Sequence, residues 1–385
     1  MNLRAANPWV VLPMLLVTGC AARLPDAARP GDVTPAMLTQ GEPLTQGVTV
    51  PPPPVVDILG VDDSMRRFIA EHVLPGGSSS WRLHGLLRTL IQDEGFRIEY
   101  QERTYTAAEA FRLRRANCLA FTNLFVALAR EAGLTVRFQE VDVPADWSQS
   151  GDLLIQNRHI NTFVEIGADG EQIVDFNMAD FRGSYDRRVV SDARAEAHYY
   201  SNVAVERMEA GESVPALLNF RLAIAADATF VPAWINLGAL YQRAGYSDWA
   251  EAAWRHALAL DGREGVAMSN LERLYRAQGR TAEALEFRRR IERYRQENPY
   301  FRYQLAQAAY QQQNYSDAIA HLRFAVGKKP NEDRFLALLG LAYLRQGDAV
   351  SARKWMARAE QVAGDETLKN AYHSKLELLR RAGAG

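Results

Sequence analysis

From residue 197 onward the chain repeats itself every 34 residues. With repeats beginning at 197, 231, 265, 299 and 333, the twentieth position reads Ala216, Ala250, Ala284, Ala318 and Ala352. The seventh reads Val203, Leu237, Leu271, Leu305 and Leu339, and the eighth Ala204, Gly238, Glu272, Ala306 and Gly340. A period of this length marks a two-helix unit that cannot bury its apolar face alone and stacks on copies of itself. Small residues at the eighth and twentieth positions let the paired helices approach closely. Glu272, Arg288 and Ile291 make the third unit the least regular, and Glu366 to Arg381 reads as a solvating cap helix.

In the second unit, Trp234, Leu237, Gly238, Tyr241, Gly245, Ala250, Trp254 and Ala257 resemble the tetratricopeptide repeat pattern nearly in full. The resemblance implies an all-α superhelix of five repeats over 197–364, closed by a cap helix over 365–385. It also implies that the first helix of each pair lines a concave groove, whose positions here include Asn236, Arg243, Asn270, Arg273, Arg276, Tyr303, Gln304, Gln307, Tyr310, Gln311 and Arg345. Such a polar, basic and aromatic groove suits a polypeptide partner or substrate, because side-chain amides hydrogen-bond a backbone of any sequence. The plainer alternative is a set of solvated helix faces.

The amino terminus has a different character. Arg4 precedes the apolar run Pro8 to Val17, too short to span a bilayer stably, and then Val17-Thr18-Gly19-Cys20. This resembles the lipobox of bacterial lipoprotein signal peptides. The resemblance implies a signal peptide at 1–19, lipidation of Cys20 and, with Ala21 next, an anchor in the outer membrane of the cell envelope, facing the periplasm. Residues 20–54, rich in proline, read as an extended tether. With 45 basic and 46 acidic residues and a formal charge of −1, no global field points to nucleic acid.

Residues 55–192 mix helical and strand-like patterns. Asp63, Ser80 and Thr106 read as helix starts, Gly133 as the stop of a helix opening at Cys118, and Val136–Val143, Ile160–Ile166 and Ile173–Phe176 as strands. If Cys20 is lipidated, Cys118 is the second of two cysteines and has no structural partner. It opens the almost wholly apolar run Leu119 to Ala129, with Asn117 as the natural cap, so the helix is a buried one. At that position the backbone N–H groups and the helix dipole favour a thiolate over a thiol, and Arg114 and Arg115 stand nearby in sequence.

His159 opens an alternating strand and Asp175 lies on the returning one. A cysteine-headed buried helix, a strand histidine and an aspartate on the next strand resemble the transglutaminase-like branch of the papain-like cysteine fold, over roughly Tyr105 to Phe176. The resemblance implies an α+β domain in which Cys118 is nucleophile, His159 general acid and base, and Asp175 the orienting carboxylate. Ala116 stands where many members have Gly. Beyond the Cys118 N–H, Trp81, Asn117 and Asn161 are candidate oxyanion donors. Hairpin register tests the triad. A two-residue turn at Asp169-Gly170 pairs Asp175 with Val164, on the face opposite His159, and a five-residue loop from Gly167 to Glu171 pairs it with Phe163, roughly 13 Å along the strand from His159.

No cofactor is expected, and scattered histidines with one cysteine offer no metal cluster. The reading is therefore an envelope-anchored cysteine hydrolase of peptidase or amidase type acting through a thioester. The alternatives are an amine-accepting transglutaminase, or a scaffold in which a degenerate cysteine domain and the repeats mediate protein–protein interaction.

Overall fold

A computed structural model of the 385-residue chain describes residues 32–73, 77–92, 96–141, 147–150, 153–156, 159–167, 170–176, 186–364 and 366–382. Cys20 and the signal-peptide reading lie outside these residues.

The expected tether is not extended throughout. Two short helices, α1 (Pro35–Gln40) and α2 (Glu42–Thr45), meet at Gly41, whose φ of 69° suits glycine. Leu38 is buried, Tyr241 donates its hydroxyl to Leu38 O at 2.6 Å, and Tyr246 donates to Pro43 O at 2.9 Å. Thr34 as cap and Pro35 at the first turn start α1, and Leu38 supplies the apolar residue that docks it.

Next come α3 (Asp63–His72), capped by Asp62, and α4 (Ser79–Leu87), capped by Ser78 and continued by a π-helical turn to Gln92. Strand β1 (Glu99–Tyr100) runs parallel to β2 (Arg115–Ala116), with α5 (Ala107–Leu113) between them behind a Thr106–Glu109 capping box. Helix α6 (Cys118–Glu131) has every residue from Leu119 to Ala129 buried, as a helix apolar on nearly all sides must. It packs on β3 (Thr135–Val141) and on β6 (His159–Glu165), after the separate hairpin of β4 (Trp147–Ser150) and β5 (Leu153–Gln156). With β7 (Glu171–Val174) and β8 (Arg187–Val190) the main sheet has the order β7-β6-β3-β8, antiparallel throughout.

Five helix pairs follow: α7 (Asp192–Glu209) with α8 (Ser213–Ala226), α9 (Val231–Arg243) with α10 (Ser247–Leu260), α11 (Gly265–Ala277) with α12 (Thr281–Glu297), α13 (Pro299–Gln311) with α14 (Tyr315–Lys328), and α15 (Asp333–Gln346) with α16 (Ala349–Val362). Helix α17 (Glu366–Ala382) closes the array. All five period-defining alanines are buried. A Cβ on Gly238 would lie 2.5 Å from Trp254 Nε1, so the small eighth position is a steric requirement. In the third repeat Glu272 takes that place and Arg288 the place of Trp254, and the two form an ion pair at 2.8 Å. The irregular repeat thus exchanges an apolar contact for a charged one.

The first repeat begins earlier than its period implies. Ser191 caps α7 at Asp192, five residues before 197, because the added turn carries Arg194 to the sheet. There Glu140 of β3, nearly buried, accepts from Arg188 of β8 at 2.6 Å and His198 at 2.9 Å, with Arg194 at 3.7 Å. Burial opposes its charge, but His198 first and then Arg188 and Arg194 hold its pKa down at about 2.

Candidate active site

Three elements converge on Cys118. The β1–β2 pairing sets Tyr100 beside Ala116 and delivers the chain to Asn117, whose side chain caps α6 by accepting from Ala120 N at 2.8 Å. The Asn117 amide also donates to Glu102 O at 3.1 Å and Thr104 Oγ1 at 2.9 Å, tying the cap to the preceding loop. Thr122, one turn on, donates to Cys118 O at 2.8 Å and reaches Ile160 O at 3.3 Å, which fastens the first turn of α6 to β6.

Hairpin register brings the carboxylate to the histidine. Strand β6 pairs Thr162 with Val174 and Phe163 with Ile173, so the next residue, Asp175, comes opposite Asn161. Neither register considered from sequence occurs. Ile166 N donates to Gly170 O at 2.8 Å, and the turn between them uses two positive-φ glycines, Gly167 at 68° and Gly170 at 93°. This shorter turn moves Asp175 two pairs closer to His159 than the five-residue loop would, to one alternation away on the same face, roughly 7 Å along the strand. A side chain spans that distance. His159 Nε2 lies 2.5 Å from Asp175 Oδ2, and Asn161 Nδ2 donates to the same oxygen at 3.2 Å.

The carboxylate is 1% exposed and the imidazole 22%. With Nε2 committed to Asp175, the other ring nitrogen is left for Cys118, to which His159 also hydrogen-bonds. Burial works against an imidazolium here. The hydrogen bonds that the ring donates to Asp175 and Cys118, and the charges of both, outweigh it and push His159 up to about 10. Cys118, His159 and Asp175 are thus brought together, and the histidine is held protonated between them.

Other expectations sort differently. Both N–H donors of the Asn117 amide are taken up in supporting the cap, and Asn161 gives one N–H to Asp175. The Arg114 guanidinium stacks over Phe96 at 4.9 Å, and Arg114 itself takes the positive φ (55°) that ends α5, so Ala116 is spared it and lies buried in β2. Sequence reasoning missed Tyr100. It is 63% exposed, stacks on Phe176 at 6.1 Å, and is raised by burial first and then by the charges of Cys118 and Glu102. Phe176 in turn stacks on Phe121 of α6 at 4.6 Å. The one available signal was its place just after the Arg97-Ile98-Glu99 alternation.

The expected groove divides in two. Asn236 and Asn270 are 2% and 1% exposed, and β5 lies against α9 and α11, the helices that carry them. Arg243 donates to Met208 O at 2.8 Å, Arg276 sits 3.9 Å from Glu272, and Arg273 is half-buried. Farther along, Tyr303 packs on Phe335 and Arg345 donates to the Tyr310 hydroxyl at 3.3 Å, while Gln304, Gln307 and Gln311 are exposed. Among the described residues no His, Cys, Asp or Glu group is arranged to hold a metal.

Two family models match the chain: the transglutaminase-like superfamily over residues 86–176, a span containing all three site residues, and the tetratricopeptide repeat over 303–366. The chain therefore carries a transglutaminase-like domain followed by tetratricopeptide repeats. Similar solved structures include MamA (19% identity, 43% of this chain and 91% of that one, TM-score 0.25). They also include YrrB, described as a TPR protein with an unusual peptide-binding site (18%, 48% and 94%, 0.25), and PilF of Pseudomonas aeruginosa (16%, 49% and 94%, 0.26). No curated protein matches the chain.

Proposed function

We propose that the transglutaminase-like domain is a cysteine hydrolase working on a carboxamide or peptide bond, held at the cell envelope through lipidated Cys20. The observation that carries the reading is the imidazole of His159, hydrogen-bonded to Asp175 on one side and to Cys118 on the other. In the proposed reaction the Cys118 sulfur attacks the carbonyl carbon, and the S–C bond forms as the oxygen takes up negative charge near the Cys118 N–H at the start of α6. His159 then gives its proton to the leaving nitrogen and the C–N bond breaks, leaving a thioester. Water attacks the thioester, His159 takes its proton, and the S–C bond breaks to release the acid. Asp175, buried and braced by Asn161, keeps the ring aimed throughout. An amine in place of water gives transamidation.

The concave face of the fourth and fifth repeats, where Gln304, Gln307, Gln311 and Arg345 are exposed, is the proposed polypeptide-binding surface. Two measurements test the proposal. Iodoacetamide at about pH 6, well below the ordinary thiol range, should label Cys118 in the wild type and not in His159→Gln. Incubation with envelope extract should trap an acyl-enzyme that Cys118→Ala cannot form. Labelling that starts only at alkaline pH or after unfolding would favour a binding protein with an inert cysteine.

A further inference from the structure

The hairpin β4–β5 stands apart from the main sheet as a two-stranded unit. Such a unit by itself is marginal in water, and here β5 is packed against α9 and α11, the first helices of the second and third repeats. Burial along the groove follows that placement. The sixth position of the successive repeats reads Asn202, half-buried; Asn236 and Asn270, buried; Gln304, exposed; and Leu338, half-buried. At the ninth, Ala239 is buried and Gln307 exposed. At the sixth position the polar residue loses solvent where β5 lies and keeps it at the fourth repeat, while Arg243 and Arg276, at the ends of α9 and α11, stay exposed.

Dimensions and chemistry agree with this occupant. Four residues of strand span roughly 13 Å, enough to cross two helices packed 8–10 Å apart and not a third. An edge strand presents unpaired N–H and C=O groups along its free side. An asparagine amide has both a donor and an acceptor to offer them. Two residues separate the end of β5 from His159, the first residue of β6. Whatever fixes β5 therefore fixes the start of the strand that carries the imidazole.

We propose that the groove of the second and third repeats is the binding site, in cis, for the hairpin Trp147–Gln156, and that its occupancy positions His159. The positioning part rests on the catalytic reading above, and the occupancy part stands without it. Tethered at both ends, the hairpin has an effective concentration on the order of millimolar. An outside polypeptide enters these two repeats only by outcompeting it, and by reciprocity such a ligand would loosen His159. Outside partners are thereby directed to the open fourth and fifth repeats.

The test uses the full chain and a full chain in which residues 147–156 are replaced by a short Gly-Ser link. A fluorescent synthetic peptide of residues 144–158 is titrated into each. The linked chain should bind it and the intact chain should not, with at least a tenfold difference in affinity. N236L/N270L in the linked chain should weaken binding by a further tenfold or more, with helical circular dichroism unchanged; should that pair fail to fold, the intact-against-linked comparison alone decides. Equal binding by both chains, or none by either, overturns occupancy. Iodoacetamide labelling of Cys118 at about pH 6 reads positioning. It should slow about tenfold on removing the hairpin, toward the rate of His159→Gln, and an unchanged rate overturns the positioning role. If His159→Gln labels as fast as the wild type, the catalytic reading and the positioning role fall together, while the peptide titration still judges occupancy.

Discussion

The behaviour of the site turns on one carboxylate. Asp175 is shut away from water, and its hydrogen bond is the largest of the influences that raise His159. In Asp175→Asn the charge is gone and the amide can present an N–H to the ring, so the imidazole both loses its proton more easily and turns more freely. Turnover or Cys118 alkylation should fall by roughly 10²–10⁴, the usual worth of a positioned acid–base group. The alkaline limb of the pH profile, expected near pH 10 in the wild type where His159 gives up its proton, should move toward neutrality. A limb that stays put in the variant would remove Asp175 from the mechanism. The identities of the three residues were legible in sequence because residue type, order and helix position each carry chemistry. Their distance was not, because it depends on a turn that Gly167 and Gly170 tighten through positive φ, and composition alone does not select among turn lengths.

Among the elements, α6 and the repeat helices show how differently local signals translate. The cap at Asn117 was readable from its place before an apolar run, and the structure adds two further bonds, to Glu102 O and Thr104 Oγ1. Asn117→Ala therefore loses more than an ordinary cap, and the expected destabilisation is about 2 kcal/mol, the upper end of the cap range, measured as a lower urea midpoint at unchanged slope. Gly238→Ala should cost about 1–3 kcal/mol as an overpacking change, because the new methyl meets the indole of Trp254 and not a flexible chain end. The same substitution at Gly245, where nothing stands within 4 Å, should act only through its φ of 86°. A smaller loss at Gly238 than at Gly245 would show that the helix pair gives way easily. What the period could not disclose was β5 against α9 and α11: Leu153–Gln156 is a short strand, distant in sequence from the repeats it packs on. The docking of α1 and α2 was hidden for a similar reason, the few apolar residues Met37, Leu38 and Leu44 among prolines being a weak local signal.

On the scale of the whole molecule, the domains are joined by charge. Glu140 binds His198 and Arg194 of α7 and Arg188 of β8 while almost buried, so its pKa lies at about 2 in the folded chain against about 4.5 when exposed. A depressed carboxylate contributes stability that is complete above pH 4.5 and is lost as pH falls toward 2, here roughly 3 kcal/mol. Between pH 6 and pH 3 the wild type should lose more thermal stability than Glu140→Gln, which has no such proton to take up. The apolar core is less continuous. One cluster runs from Val33 through the cysteine domain and three repeats to Phe287, and a second occupies the fourth and fifth repeats and α17, from Ala306 to Leu376. The two part between α12 and α13, beside the third repeat whose close-packing position holds the Glu272–Arg288 pair, and the ion pair of Lys329 with Asp186 ties the blocks together at a worth of about 0–1 kcal/mol. In a repeat array stability is a sum of units and interfaces, so a weak interface separates cooperative blocks. Urea should unfold the molecule in two steps. Trp355, the only tryptophan beyond Trp254, reports the carboxy-terminal block, and the remaining tryptophans report the rest. In a chain with Trp355→Phe the fluorescence transition should lose its early component while far-ultraviolet circular dichroism retains both. A single coincident transition by both probes would mean that the interface at the third repeat couples the blocks fully, despite the break in its apolar core.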